Sequence, residues 1–298
     1  MSPLLQGILA ASQARMEERV KVRPQSELER MIADLPPRRS LQQALQGRFS
    51  VIAEHKRRSP SGGEMNAQNL ERALPLYAET PWISAVSVLT DEDHFKGSIW
   101  DLQAARAVCG ERPILRKDFI VDEYQVYEAC AFGADAILLM ATLHGEDPKR
   151  LQRLFELAQE LQLDALVEIG MGAEDPERLA SIVPDGAKIW GINARTFGGV
   201  FGVRAALSRL TTSLFGKDMR THLGEHKRLR RLIPKGCLAV AESGIHSAKD
   251  LSSARAARYD AALIGTAFLK GPKPIEEVVA ELGSAPELAS QVPVARSA

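Results

Sequence analysis

Cysteine is scarce in this chain of 298 residues: Cys109, Cys130 and Cys237 are the full set, and they lie far apart. An odd count with no pair at metal-ligand spacing excludes a disulfide framework and points to reduced thiols in a cytoplasmic protein. Net charge is also missing, because 38 basic residues balance 38 acidic ones. That balance gives no footing for nucleic acid or a membrane surface as partner. No segment approaches the ~20 apolar residues of a membrane span. The opening MSPLLQGILAASQAR has an apolar stretch but no basic n-region, and it runs on into a charged amphipathic pattern, so a secretory signal is not expected. HExxH, CxxC, Walker and GxGxxG patterns are absent, and the six histidines do not cluster. Neither a metal nor a nucleotide cofactor is expected.

What the chain does contain is a series of eight short apolar segments, most of them ending in a residue able to do chemistry. VIAEHK ends in Glu54 and Lys56, PILRKD in Lys117, ALVEI holds Glu168, and IWGINAR ends in Asn193 and Arg195. LAVAESG ends in Glu242, Ser243 and Gly244, ALIGT ends in Gly265 and Thr266, and SAVSVLT and DAILLM complete the set. Helical stretches separate most of them. Strand, loop and helix in repetition, with polar residues gathered at strand ends, predict an α/β fold, a (β/α)8 TIM barrel with its site at the strand C-termini. Such a barrel needs ~250 residues, which leaves room for an extension and an enlarged loop. The expected plan is a single domain over 1–298. It has an N-terminal helical extension at 1–46, a barrel at 47–283 and a fraying Ala/Ser/Pro tail at 284–298. The eight strands are expected at 50–55, 84–89, 113–117, 135–140, 164–168, 188–193, 237–242 and 261–265. In the extension, Leu4, Leu5, Ile8 and Leu9 supply an apolar face, Ser26 with Glu29 resembles a capping box, and Asp34-Leu-Pro-Pro is a stop. The extension could lie under the barrel or beside its mouth. Asp147-Pro148, Asp175-Pro176 and Ser247 with Asp250 mark later helix starts.

Strand parity sorts the candidates. Side chains alternate along a strand, so Glu54 and Lys56 share the lumen face and His55 takes the other. By the same rule Lys117 follows Leu115 inward and Arg116 points outward. A lysine at a lumen mouth must be paired or have its pKa lowered. With Glu168 two strands away it could form an acid–base couple, or equally a structural ion pair. Gly244, Gly265 and Thr266 follow the seventh and eighth strands, whose loops in barrels of this kind frequently hold phosphate on backbone N–H groups. Ordinary turn geometry is the competing explanation for those glycines.

The blocks IAEHKRRSPSGG, SVLTDEDHFKGS, PILRKDFIVDEYQVYEA, GADAILL, LVEI, GINAR, AESGI and LIGT, in this order, closely resemble the indole-3-glycerol phosphate synthase family. They cover most of residues 1–270. The resemblance implies closure of 1-(2-carboxyphenylamino)-1-deoxyribulose 5-phosphate to an indole, with loss of carbon dioxide and water, in tryptophan biosynthesis and without a cofactor. It also implies roles. Lys117 is the general acid at the ketone, Glu168 the base or electrostatic partner in dehydration, Lys56 a phosphate contact and second acid, and Glu54 the group that orients the lysines or takes a proton. Asn193 and Arg195 would hold the anthranilate carboxylate. Ser243, Gly244, Gly265 and Thr266, with Lys56, would cradle the phosphate. Ser59 and Glu242 would support the lysines and substrate, and Leu89, Phe95, Phe119 and Leu138 would line the aromatic pocket or simply pack the core.

The chain departs from that pattern after the sixth strand. The family's usual Asp/Asn-Leu step after N-x-R is missing, and roughly twenty residues are added. Segment 196–235 carries nine Lys or Arg against two Asp or Glu. An extra amphipathic helix on the barrel rim, a basic lid over an anionic substrate and an interface for another chain all fit such a loop. The second strand begins with Thr80-Pro-Trp-Ile in place of Gly-Ala, and Thr266 replaces the more usual serine. Two alternatives to the synthase therefore stand: a non-catalytic or altered-specificity paralogue that binds a phosphorylated ligand or a partner through 196–235, and a related barrel isomerase. Oligomeric state, monomer or homodimer, is not legible.

Overall fold

The protein is described by a computed structural model that covers residues 3–59, 63–170, 175–193 and 226–289. Eight parallel strands close into a barrel: β1 (Ser50–His55), β4 (Ile83–Leu89), β5 (Ile114–Lys117), β6 (Ala136–Met140), β7 (Asp164–Gly170), β8 (Ile189–Asn193), β9 (Leu238–Glu242) and β10 (Ala261–Ile264). The short strands β2 (Arg58–Ser59) and β3 (Gly63–Glu64) pair antiparallel as a separate hairpin after β1. The order around the barrel follows the chain, and β1 pairs with both β10 and β4 to close it. Every expected strand is present within two residues of its expected bounds.

The strands read as continuous apolar runs because both faces are covered. One parity fills the lumen: Ile52, Ala85, Leu115, Ala136, Leu138, Leu166, Ile189, Val240, Ala261 and Leu263 form a single buried cluster. The opposite parity, from Val51 and Ala53 round to Ala262 and Ile264, packs against the helices in a second shell. Trp82 belongs to that outer shell, with its ring centroid 6.3 Å from that of Phe268. Unusual strand start Thr80–Ile83 thus supplies a large outer-shell side chain, while Arg112 donates to the carbonyls of Ala78 and Thr80 at 2.8 Å each.

The N-terminal extension does both of the things its sequence allowed. Helix α1 (Pro3–Val22) lies at the strand C-termini: Ile8 joins the lumen cluster beside Phe119 and Leu143, and Ser12 Oγ donates to the Phe119 carbonyl at 2.7 Å. Helix α3 (Leu41–Leu45) plugs the other end, burying Leu41 and Leu45 in the same cluster while Asp164, at the start of β7, accepts from Ser40 Oγ and Gln42 N. Helix α2 (Gln25–Ala33) begins one residue before Ser26, with Pro24 at its cap position and no capping side chain. The expected Ser26–Glu29 capping box therefore does not form, because Ser26 already sits inside the first turn. Asp147 and Asp175 do cap α4 (Pro148–Glu160) and α5 (Pro176–Ser181), accepting from Arg150 N at 3.1 Å and Arg178 N at 2.8 Å. After β9, Ser247 caps Ala248–Ala256, and the Asp250 carboxylate receives the His246 N–H and the Ser247 hydroxyl. Of the tail expected to fray, residues 284–289 are packed: Pro286–Ala289 is a helical turn with Leu288 fully buried and Glu287 accepting from Ser252, while 290–298 lie outside the described residues. Among the described residues no helix is long and apolar enough to cross a membrane.

Candidate active site

Glu54 and Lys56 at the end of β1, Lys117 at the end of β5, Glu168 on β7, Asn193 at the end of β8 and Glu242 at the end of β9 converge on one cavity at the strand C-termini. The lumen parity carries all of them. They come from strands far apart in sequence, so only closure of the barrel assembles them. The cavity holds about 970 Å³ of space free of atoms, part of it open to solvent. Leu89, Phe95, Phe119, Leu138, Met140 and Leu263 form its apolar wall. Phe119 is set by an edge-on contact from His94 at 5.6 Å and by Phe95 at 6.4 Å. Ser243, Gly244, Ile245, His246, Gly265 and Thr266 form the opposite side, after β9 and β10.

The polar groups form a connected chain. Ser243 Oγ donates to Asn193 Oδ1 at 2.9 Å, and Asn193 Nδ2 donates to Glu168 Oε2 at 3.1 Å. Lys117 Nζ lies 3.3 Å from that same oxygen and 2.9 Å from Glu242 Oε2. On the other side of the cavity Lys56 Nζ pairs with Glu54 Oε1, and both side chains are buried. Burial alone would lower the Lys117 pKa, but the charges of Glu242, Glu168 and Glu54 outweigh it and lift the ammonium above its ordinary value. The lysine therefore stays charged and can donate a proton. Burial pushes the Glu242 carboxyl up to about 8; the adjacent Glu168 adds to the rise and Lys117 opposes it. His55, on the outward parity, is pushed down to about 4 by burial, so it is neutral and packs behind the strand.

Two lumen glycines make room for carboxylates. A Cβ at Gly265 would run into Glu54 Oε1 and lie 2.9 Å from Glu54 Cβ. A Cβ at Gly191 would run into Glu242 Oε1. Glycine at position 265 has a steric reason beside any role toward an anion. Ser243 and Gly244 both have positive φ, 66° and 79°. For Gly244 this costs nothing, while for Ser243 it is a held, left-handed conformation.

Of the residues expected from sequence, Glu54, Lys56, Leu89, Phe95, Lys117, Phe119, Leu138, Glu168, Asn193, Glu242, Ser243, Gly244, Gly265 and Thr266 all line the cavity. Ser59 does not: it is fully buried on the β2–β3 hairpin, away from the wall formed by the described residues. Arg195 and most of the basic segment, 196–225, fall outside the described residues. The end of that segment packs on the barrel, with Leu229 and Ile233 buried and His226 Nδ1 3.0 Å from the Tyr259 hydroxyl. Sequence reasoning missed Asp91, Asp118, Met140, Ile245, His246, Leu263 and Ile264. Met140 and Leu263 share the lumen parity of Leu138 and were within reach of that rule. Asp91 and Asp118 follow strands on loops, where parity has no hold.

A model of the family described as indole-3-glycerol phosphate synthase matches residues 5–201. The chain belongs to the indole-3-glycerol phosphate synthase family. An indole-3-glycerol phosphate synthase from Parafrankia sp. is 35% identical over 282 residues, covering 94% of this chain and 95% of that protein. One from Streptomyces griseus subsp. griseus is 37% identical over 284 residues, 95% of each chain. One from Lachnospira eligens is 38% identical over 234 residues, 78% of each. The solved structure of a 3-hexulose-6-phosphate synthase superposes with a TM-score of 0.55 at 15% identity, covering 80% of this chain and 99% of that one. That likeness concerns the barrel fold alone. The match to the synthase family reaches through β1 to β8, which includes Glu54, Lys56, Lys117, Glu168 and Asn193.

Proposed function

We propose that this cavity carries out the indole-forming reaction of the synthase family. It would take 1-(2-carboxyphenylamino)-1-deoxyribulose 5-phosphate to indole-3-glycerol phosphate, carbon dioxide and water. The observation that carries the reading is Lys117, held between two buried carboxylates at 3.3 and 2.9 Å, with an apolar wall on one side and glycine-bearing loops on the other. The free space is ample for one phosphorylated aryl-amino sugar, since ligand pockets run from about 300 to 1,000 Å³.

The roles proposed for the residues are those the family resemblance implies. The apolar wall of Leu89, Phe95, Phe119 and Leu138 takes the aromatic ring. Ser243, Gly244, Gly265 and Thr266 surround the phosphate, with Lys56 supplying the positive charge. Lys117 donates a proton to the ketone oxygen while the ring carbon that bears the carboxylate attacks the ketone carbon. A carbon–carbon bond forms and the ketone oxygen becomes a hydroxyl. The carboxylate then leaves as carbon dioxide, and its bonding electron pair restores the aromatic ring. Asn193 and Arg195 hold that carboxylate until it departs. In the last stage the hydroxyl leaves as water and a proton leaves the neighbouring carbon, with Glu168 as base. Fixed lysine and carboxylate groups in a lumen poor in water meet the developing charge without reorganisation.

The same reading places the protein in the cytoplasm as a single-domain monomer or homodimer that handles a free small molecule, with 196–235 as the segment for any partner. Purified protein is expected to turn over the substrate, with the indole product followed by its fluorescence. Lys117→Ala and Glu168→Gln are each expected to lower kcat by about two to four orders of magnitude, the usual worth of acid–base groups. Full activity in either variant would remove the role given to that residue, and no turnover by the wild-type chain would remove the reading as a whole.

A further inference from the structure

Strand β8 runs between β7 and β9, and its lumen-facing positions are Ile189, Gly191 and Asn193. Register pairs Gly191 with Glu168 on one side, and Asn193 with Glu242 on the other. The Glu242 carboxyl does not stay over its own strand. Its Oε1 occupies the space that a side chain at 191 would fill: a Cβ there would run into it, and would lie 3.2 Å from Glu242 Cδ and 3.4 Å from Leu166 Cδ1. The Oε2 atoms of both Glu242 and Glu168 lie on the same ammonium, Lys117 Nζ. Their Oε1 atoms are both buried and accept no hydrogen bond. Two carboxyls thus face each other across one glycine, with a single cation between them.

The charge balance of the lumen favours one retained proton. Facing the pair are Lys117 from β5, Glu54 and Lys56 from β1, and, farther out on the cavity wall, Asp91, Asp118 and His246. Of these, Asp118 is committed to Arg116. The inner set is three carboxyls against two ammonium groups. Full ionisation would leave a net negative charge in a buried site that must still admit a phosphate and a carboxylate. We propose that Gly191 is a positioning residue: its missing side chain lets Glu242 lean over β8 toward the charge of Glu168, so that the Glu242 carboxyl keeps a proton for the reaction. This rests on the synthase reading given above. In the dehydration stage that proton goes to the departing hydroxyl, whose carbon–oxygen bond breaks to release water. Glu168 takes the proton from the neighbouring carbon as the double bond forms and passes it to the ionised Glu242, which returns to its starting state. A buried carboxyl beside a like charge keeps its proton to higher pH.

The direct test is a pH titration of the full chain with 13Cδ-labelled glutamate, followed by NMR. Wild type is expected to show one carboxyl step near the value of about 8 that burial and Glu168 give Glu242. In Gly191→Ala the new methyl displaces Glu242 Oε1, and the step is expected to fall by at least one pH unit. Glu168→Gln removes the like charge without touching the glycine and is expected to lower the same step, which keeps the test open if the alanine variant does not fold. The alkaline limb of the kcat profile in Gly191→Ala should move down with the NMR step, and Glu242→Gln, whose amide has no proton to transfer, should lose turnover at every pH. A wild type with no carboxyl titrating above pH 6 overturns the retained proton. An unmoved step in folded Gly191→Ala overturns the role of the glycine. The NMR step does not depend on turnover, so an inactive protein with a normal high step would count against the synthase reading and not against the pair.

Discussion

Arg116 offers the sharpest test of how the barrel wall supports the site. It points outward from β5, away from Lys117, yet its side chain is only 1% exposed. Nε donates to Thr90 Oγ1 at 3.0 Å, Nη1 to the Gln125 carbonyl at 2.9 Å and Nη2 to Asp118 Oδ2 at 2.9 Å. Nη2 also lies 2.8 Å from Glu128 Oε2, an ion-pair contact whose angle does not make it a hydrogen bond. Replacing Arg116 by methionine keeps much of the volume and leaves two buried carboxylates without their common cation. Glu128 retains Arg19 on α1 at 2.9 Å, and Asp118 retains Thr90 Oγ1 at 2.6 Å and the Phe119 N–H at 2.8 Å. Breaking a buried pair by removing one partner costs about 3–5 kcal/mol, and the surviving partners place this case toward the lower half of that range. The corresponding fall in Tm is roughly 6–12 °C. The sign of the pH dependence is a second check. Burial raises the Asp118 pKa, but Arg116, foremost among its partners, holds it below the usual carboxylate range. A depressed carboxyl contributes stability above its unfolded pKa of ~3.9 that is lost as pH falls through the folded value. In Arg116→Met burial wins, Asp118 takes a proton earlier, and the deficit against wild type should shrink between pH 7 and pH 5. Urea and thermal melts at both pH values measure this. A variant within 1 kcal/mol of wild type at pH 7, on the order of the noise of a surface change, or a deficit that grows on acidification, would refute the reasoning.

Two further outcomes follow from the site. Glu242→Gln removes a buried acid whose folded pKa of about 8 lies above its unfolded value. Such a group contributes stability below the unfolded value, near ~4.3, that is lost as pH rises through 8. The variant should therefore gain stability relative to wild type between pH 5 and pH 8.5, by an amount on the order of a few kcal/mol, with a matching rise in relative Tm, while losing turnover; parallel Tm curves over that range would contradict it. In Gly97→Ala, the added Cβ would run into the Leu89 carbonyl oxygen and come within 3.0 Å of Thr90 Cα, both of them backbone. The loop that seats Leu89 and Phe95 has to move. Stability should fall by roughly 1–3 kcal/mol, with KM rising more than kcat falls. An unchanged KM in a folded variant would show that this loop does not set the aromatic wall.

Much of the site was legible one strand at a time. The alternation that put Glu54 and Lys56 inward and His55 outward is a property of the extended chain, and needs no partner strand to hold. The same is true of Asp147-Pro148 and Asp175-Pro176, where a cap and its helix are adjacent residues. The Ser26–Glu29 box failed because α2 starts one residue early, at a position set by how it packs on the barrel and not by its own capping residues. Nothing in KRRSP states which way the β2–β3 pair turns, so the burial of Ser59 there is visible only in the fold.

The sequence by itself determined the eight strands, their lumen faces and the glycine-bearing loops after the last two, because periodicity, turn chemistry and capping act over a few residues. Tertiary structure alone decided what those faces meet. Lys117 reaches Glu168 across 51 residues and Glu242 across 125, and that meeting depends on the shear and closure of the whole barrel. Closure also sends α1 to the mouth and α3 to the base, buries Arg116 in a wall that parity had only called outward, and turns Gly191 from an unremarked strand residue into the gap through which two carboxyls approach. Charge and burial then act over ångströms of space rather than positions of sequence, so the pKa of Glu242 belongs to the fold and not to the motif that carries it.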